Sequence, residues 1–512
     1  MHSFYARLLL VLGTLLAVLD TVQADNPIIQ SIYTADPAPI VVDDRVYLLA
    51  DHDENGSTTY NMRDWRLFSS ADMANWQDHG VIASIATTFP WADLNAWAGQ
   101  IIARNNKFYM YLPMRRRGGN TAIGVAVADS ITGPWKDALG KPLLENGRID
   151  PTVWIDDNGQ AYLYFANPGL FYVKLNTDMI SYSGSIVEVS MNVASFGSGR
   201  EADGTTFAEG PWVYKRNNLY YVVYAANCCS EDIRYSTGPS IMGPWTYRGV
   251  VMASAGKSFT NHPAVIDFKG KSYFFYHNGA LPGGSGYTRS IAVESFTYNA
   301  DGTIPLLTMT NAGAPQIGTL NPYTRNEAET MAFSSGVQTQ ATLDGGLAII
   351  NIEIGDYVKV AGVAFGNGAK SFYARVASAT SGGKIEVRLG GVTGTLVGTC
   401  VVPGTNGWQS WQVVTCAVSG ATGIKDLYLK FTGGSGYLFN PKTMLPSTNY
   451  ARWKRTDSLP ARVRSTIEPR TKKTSTNKTY SSRDSHVVTH RSTNLPFNCL
   501  CMAERTGCPV FS

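Results

Sequence analysis

Between residues 36 and 278 one pattern recurs five times: a polar or small opening residue, an apolar strand, a turn rich in Asp, Asn, Gly or Lys, and an aromatic strand. The units open at Asp36, Ala98, Asp150, Glu209 and His262, spaced 62, 52, 59 and 53 residues apart. A second echo follows several of them and ends at Trp76, Trp135 and Trp245, twice after Gly-Pro. Each unit reads as a hairpin with a polar turn, and the echo reads as a turn between outer strands. About four strands per ~50–60 residues, five times over, is the arithmetic of a β-propeller. A strand pair cannot bury both faces alone, so neighbouring blades must pack, and a closed ring removes most open edges. The competing architecture is a β-sandwich with accidental internal similarity.

The rest of the composition agrees with an all-β chain. At 512 residues, with 44% hydrophobic and 16% charged, it is too apolar for a disordered protein and long enough for two or three cores. Fifty glycines and 11% aromatics favour strands and turns over long helices. A helical bundle, a coiled coil and a multispan membrane protein are excluded. The net charge of +4 is unevenly spread: residues 441–512 hold 13 Lys+Arg and 4 Asp+Glu, leaving 30 and 35 for the remainder. The main body is mildly acidic and offers no nucleic-acid footprint.

Residues 1–24 read as a secretory signal peptide, with His2 and Arg7 before the apolar Leu8–Val18 and small residues at Val22 and Ala24. The competing reading, a membrane anchor, needs a longer stretch. A secreted, extracellular protein is expected, in an oxidising compartment, with acceptor sequons at Asn55 and Asn477. Seven cysteines leave one over. Cys400 and Cys416 can pair across a hairpin. Adjacent Cys228 and Cys229 are poorly placed to bridge each other, with no evident partner elsewhere. Cys499, Cys501 and Cys508 lack a zinc spacing.

Equivalent positions of successive blades surround one axis, so the opening residues face a common channel. Four of the five are ionisable, and three carboxylates converging on a channel point to paired-carboxylate chemistry. Taken singly, each has a bland explanation: Asp-Pro caps turns, Glu209 before Gly-Pro suits a solvated loop, and a lone His262 more often packs in a core.

These residues resemble glycoside hydrolase family 43, a family of five-bladed propellers, over roughly residues 30–310. The resemblance is carried by Asp36-Pro37, Arg148 to Pro151, Ala208 to Pro211 and Asn261 to Pro263. Asp51-His52-Asp53-Glu54, Met62 to Arg66 and Asp72 to Trp76 are similar to its arabinoxylan arabinofuranohydrolase branch. The resemblance implies an inverting hydrolase in which Asp36 is the general base, Glu209 the general acid, and Asp150 orients the acid and raises its pKa. It also implies that His262 faces a cation or ordered water, with calcium permitted rather than required, and that Arg289 bonds the sugar or steadies Asp36. Trp91, Trp97 and Phe165 are the candidate sugar-stacking walls, with core packing as the alternative for each.

Residues 319–440 resemble carbohydrate-binding module family 6, a β-sandwich (jelly roll), through Glu327-Ala328-Glu329, Ile354 to Val358 and Gly407 to Trp411. The resemblance implies structural calcium at Glu327 and Glu329 and a sugar cleft at Trp408 and Asn440. The opposing cleft aromatic is replaced near Asn351. Past Asn440 the family's last strand and one acidic calcium ligand are expected to be missing. Residues 441–512 then form a basic atypical tail, disordered or a gene-model error, with anchoring to acidic surfaces as the alternative. The expected domains are thus a propeller over 25–318, a truncated module over 319–440 and the tail. The expected activity is removal of α-L-arabinofuranosyl branches from arabinoxylan by a monomer without nucleic-acid or membrane partners. A β-xylosidase or dual enzyme is the close alternative, and a non-catalytic sugar binder is the alternative of another class.

Overall fold

The computed structural model describes residues 25–145 and 147–447. The expected leader, the chain beyond Ser447, Asn477 and the three last cysteines lie outside these residues. Five antiparallel sheets follow one another in chain order. The first holds Thr34–Val42, Arg45–His52, Asp64–Ser70 and Trp76–Ser84. The second is built on Gln100–Arg104, Lys107–Arg116 and Thr121–Ala128, the third on Ile149–Ile155, Ala161–Ala166, Leu170–Leu175 and Tyr182–Glu188. The fourth holds Phe207–Arg216, Leu219–Ala226, Asp232–Gly238 and Thr246–Met252, and the fifth Ala264–Phe268, Lys271–Asn278 and Ser290–Phe296.

The sequence explains the opening hairpins. A two-residue loop that matches strand twist needs φ > 0, which Asn, Asp and Gly tolerate best. Asn105 and Asn106 take φ 52 and 59, Asp43 and Asn217 take φ 51 and 55, and Lys269-Gly270 takes φ 46 and 76. The aromatic strands that follow bury their rings between sheets. Trp76, Trp135 and Trp245, the ends of the second echo, are all buried.

Hydrogen bonds join each sheet to the next. Trp65 Nε1 donates to Trp97 O at 2.5 Å, Val153 N to Gln100 Oε1 at 2.6 Å and Val213 N to Thr152 Oγ1 at 3.3 Å. Trp212 Nε1 donates to Val265 O at 2.9 Å. Thr34 N then donates to Arg289 O at 3.1 Å, linking the first sheet to the fifth.

Two further sheets face each other after residue 332. One orders Phe333–Ser335, Tyr357–Gly366, Gly423–Gly433, Gly382–Leu389 and Thr395–Pro403; the other orders Gly407–Ala417, Ser371–Ser378 and Asn440–Ser447. Val358, Phe372, Ile385, Leu429, Phe431 and Phe439 form the core between them. The last strand, expected to be missing, is therefore present. Asn440–Ser447 pairs with Ser371 to Ala377, and its other side meets the chain at residues 326–328 through Lys442, Thr443 and Met444, between Pro441 and Pro446, whose missing N–H groups fall outside that second pairing. That strand carries no acidic residue. Cys400 and Cys416 are disulfide-bonded, and so are Cys228 and Cys229, against the expectation for the adjacent pair.

The two parts of the chain share backbone. Thr330–Met331 adds a short strand to the first sheet, pairing with Gln77 and Trp76. The Asn75 side-chain amide exchanges two hydrogen bonds with the main chain of Ala361, at 2.8 and 3.0 Å, and Lys359 Nζ meets Asp25 at 2.6 Å.

Candidate active site

Strand openings build the site. Asp36 and Asp150 both precede proline, both sit at a break in strand register and both take φ near 55°. In the fourth sheet that same position, before Pro211, belongs to Gly210, φ 58. Glu209 is one residue earlier than its expected equivalence and aligns with Ala35 and Ile149, so three of the five opening positions, not four, are ionisable. The slip has a steric cause. A Cβ at position 210 would lie 2.7 Å from the His262 ring, so only glycine fits, and the carboxyl moves to the preceding residue.

Asp36 is 1% exposed, and its carboxylate is faced by one guanidinium and two imidazoles. Arg289 Nη1 lies 3.3 and 3.2 Å from its two oxygens, and His277 and His262 Nδ1 lie 3.1 and 3.4 Å from Oδ1. Burial opposes ionisation of Asp36, but Arg289, His277, Asp51 and His262 outweigh it and hold the carboxyl well below the usual range. Asp51, fully buried beside Asp36, is pushed the other way by burial and by the Asp36 charge. Arg289 is itself clamped by Asp53 through Nε at 2.9 Å and Nη2 at 2.8 Å. Of its two expected roles, steadying Asp36 is the one its contacts serve. It is fully buried among carboxylates rather than set on a cleft wall.

The other two carboxyls have the opposite electrostatics. Asp150 Oδ2 accepts the Gly210 amide at 2.8 Å, yet burial, Asp36 and Glu231 raise its pKa well above the usual range. Glu209 Oε2 accepts from Asn167 Nδ2 at 2.7 Å. Burial first, then the charges of Glu231, Asp150 and Asp36, raise the Glu209 pKa well above the ordinary value. Asp36 is thus favoured in its ionised form, whereas ionisation of Asp150 and Glu209 is disfavoured, within a single electrostatic cluster.

Glu209 opens into a cleft of about 600 Å³ lined by Arg148, Asn167, Phe171, Met191, Glu201 and Cys228, among others. The expected aromatic walls lie elsewhere. Phe165 is fully buried in the core, stacked on Phe171 with centroids 6.0 Å apart, so the neighbouring strand presents the ring to the cleft. Trp97 is 2% exposed in the core shared by the first two sheets, and Trp91 binds Asp137 Oδ2 at 2.8 Å beside Phe89. Sequence reasoning also passed over His277, Asn167 and Glu231. His277 sits in an aromatic strand, Asn167 at a strand end and Glu231 before Asp232–Gly238, places that the opening-residue pattern does not reach.

His262 is buried, and its Nε2 has no hydrogen-bond partner among the described residues. Burial lowers its pKa, so the ring is neutral and offers a lone pair, which fits a cation or an ordered water. In the second part of the chain Glu329 is buried, its Oε2 has no partner among the described residues, and its pKa is pushed up to about 9 by burial, which also fits a cation. Glu327 accepts from Arg325 Nε at 2.6 Å and Thr443 Oγ1 at 3.1 Å. Asn440 Nδ2 reaches Trp408 O at 3.4 Å, so these two expected cleft residues are together, whereas Asn351 binds Gln338 at 2.7 Å.

An ionised carboxylate and a carboxyl of raised pKa, buried at strand openings of the first and fourth sheets, are the kind of pair a glycoside hydrolase uses. Glycosyl hydrolases family 43 matches residues 24–304, and carbohydrate binding module (family 6) matches residues 327–443. An arabinoxylan arabinofuranohydrolase of Bacillus subtilis (strain 168) is 37% identical over 470 residues, covering 81% of this chain and 91% of its own length. One of Paenibacillus polymyxa is 34% identical over 483 residues, 81% of this chain and 73% of its own. A crystal structure of a family 43 arabinoxylan arabinofuranohydrolase from Bacillus subtilis in complex with cellotetraose superposes with a TM-score of 0.72, at 35% identity over 84% of this chain and 99% of that one. A β-xylosidase/α-arabinofuranosidase from a compost microbial metagenome, in a calcium-free form with xylotriose, gives 0.50, at 31% identity over 56% of this chain and 97% of that one. The chain belongs to glycosyl hydrolase family 43 and carries a family 6 carbohydrate-binding module.

Proposed function

We propose that this enzyme releases α-L-arabinofuranosyl side chains from arabinoxylan with inversion. The observation that carries the reading is the opposed electrostatics of Asp36 and Glu209, supported by the likeness to two arabinoxylan arabinofuranohydrolases. Water attacks the anomeric carbon from the face opposite the leaving oxygen. Asp36 takes the proton of that water, and Glu209 protonates the glycosidic oxygen as its bond to carbon breaks. An inverting pair needs room for the water, roughly 6.5–9.5 Å between carboxyls. Asp150, in the same buried cluster, adds to the burial that disfavours ionisation of Glu209. Arg289, held by Asp53, fixes Asp36 in its ionised form.

In this reading the five sheets are the blades of a five-bladed propeller closed between the fifth and the first, with the module beginning near residue 319 and running through the strand Asn440–Ser447. Calcium would be held by Glu327 and Glu329 in the module and by His262 in the channel, where it supplies charge that orients neighbouring oxygens. Trp408 and Asn440 give the module a sugar-binding cleft, and the chain is a secreted monomer. Relatives named xylosidase/arabinosidase, from Bacteroides ovatus at 31% identity and Humicola insolens at 29%, favour a second reading as a dual enzyme. Measuring arabinose and xylose released from arabinoxylan and from linear xylo-oligosaccharides decides between them. Arabinose from the branched substrate alone is expected, and xylose from both would establish the second reading.

A further inference from the structure

The fourth sheet carries a disulfide for which stability gives little reason. Cys228 and Cys229 are neighbours in the chain, so their bridge closes the shortest loop a disulfide can close. The restraint that a bridge places on the unfolded chain grows with the loop it closes, so this one adds less than Cys400–Cys416, whose partners are 16 residues apart. Its turn is also held without the sulfurs. Arg200 Nη2 donates to the carbonyls on either side of the pair, Asn227 O and, at 3.1 Å, Ser230 O. Glu201 Oε1 accepts the Cys228 amide at 2.8 Å, and the amides of Asn227 and Glu231 donate to Thr206 O at 2.9 Å and Phe259 O at 3.0 Å.

What sets the pair apart is its place. It lies in the connection between Leu219–Ala226 and Asp232–Gly238, and Glu209 pairs with Ala225, just ahead of the bridge. Cys228 lines the cleft into which Glu209 opens, and Cys229 is exposed. In an inverting reaction the acid protonates the oxygen that departs, so the leaving group lies on the acid's side of the breaking bond. With Glu209 as the acid, the cleft beside it receives the xylan main chain rather than the arabinosyl group. A pyranose has apolar C–H faces and a polar rim. The cleft offers matching chemistry: Phe171, Met191 and the bridge, whose sulfurs are soft and donate no hydrogen bond, beside Glu201, Asn167 and Arg148.

We propose that the Cys228–Cys229 bridge is a substrate contact, an apolar ledge on which the main-chain sugar of the leaving group rests, favouring branches carried on a xylan chain over small arabinosides. The inference rests on the reading of Glu209 as the acid. Arg200 and Glu201 hold the ledge at the cleft before substrate arrives, so binding a chain costs no ordering of this turn.

The test compares wild type with C228A/C229A on arabinoxylan and on p-nitrophenyl α-L-arabinofuranoside, which brings no main chain. We expect KM for arabinoxylan to rise about tenfold with kcat within about twofold, and kcat/KM on the aryl substrate to stay within about twofold. A purely structural bridge would instead lower Tm and impair both substrates alike. A second measurement needs neither variant nor turnover. Tris(2-carboxyethyl)phosphine reduces the bridge in folded wild type, and alkylation with iodoacetamide followed by peptide mass spectrometry reads the rate. Xylotetraose should slow reduction of Cys228–Cys229 by about threefold or more, and maltotetraose should not. An unchanged KM on arabinoxylan, equal losses on both substrates, or reduction at one rate with and without xylotetraose would each overturn the proposal; if C228A/C229A does not fold, protection alone decides. Wild-type turnover by Glu209→Gln would instead reject the reading of the acid, and a wild type active only on xylosides the reading of the substrate. In either case protection by xylotetraose would still decide whether the bridge touches a xylan chain.

Discussion

The amide of Gly210 donates to Asp150 Oδ2 at 2.8 Å, and the two residues occupy the same left-handed site in adjacent sheets. The backbone kink of one sheet therefore holds the carboxylate of the one before it. A methyl group at position 210 would strike the His262 ring at 2.7 Å and would have to accept φ 58. Gly210→Ala should cost about 1–3 kcal/mol of stability and lower kcat at least tenfold. Thermal melts and kinetics on arabinoxylan check it; a wild-type rate would mean that the clamp does not position Asp150.

Glu209→Gln and Asp36→Asn should each reduce kcat about 10²–10⁴-fold, the range of a lost acid or base, and leave the circular dichroism spectrum unchanged. Proton NMR of the first sugar formed by wild type should show the anomer opposite to that of the substrate. Retention would contradict the assignment of Asp36 as a base.

Two pH effects have opposite origins. Asp150 helps to raise the Glu209 pKa, so Asp150→Asn should move the alkaline limb of kcat/KM to lower pH. Glu201 bears on stability: burial raises its folded-state pKa from 4.5 to about 7. Between those values the folded protein binds more protons than the unfolded chain, so stability falls as pH rises through that window. Glu201→Gln should flatten the fall, which urea unfolding at pH 4.5 and 7 measures.

Glu329 presents a buried oxygen with no partner among the described residues. A cation that binds only the folded chain raises Tm with its concentration. Calcium should raise Tm after dialysis against EDTA, and Glu329→Gln should abolish the response. A calcium-independent melt would remove this residue from any metal site.

Phe171 faces the cleft while its stacking partner Phe165 is interior. Phe171→Ala should raise KM for arabinoxylan with little change in kcat on small aryl glycosides. Phe165→Ala should instead cost about 3–5 kcal/mol of stability, as large cavities do.

The hairpins and the acids at their openings were legible in the sequence because polar turns, Asp-Pro steps and aromatic strands leave marks a few residues long. The one-residue displacement of Glu209 was not, because it depends on His262 lying over Gly210, a contact between residues 52 apart in the chain. Asp51, Asp53 and His277 were equally hidden as partners. Asp51 reaches Asp36 across the first hairpin, while Asp53, just past the second strand, and His277, in the second strand of the fifth sheet, meet Arg289 and Asp36 only where the first and fifth sheets adjoin. Phe171 left no mark of its own in the sequence: it is the cross-strand partner of Phe165 on the same face of the sheet, and only tertiary packing covers Phe165 and leaves Phe171 at the cleft.

The pairing of Thr330–Met331 with Gln77 and Trp76 makes the sugar-binding module an extension of the hydrolase body rather than a cargo on a leash. Trimming the gene after the last hydrolase strand would bare a rim of ungripped peptide groups and the buried Trp76 behind it, inviting copies of the protein to stick edge to edge. Grafting the module onto another enzyme would likewise need more than a flexible joint: the donor would have to bring the host a matching rim.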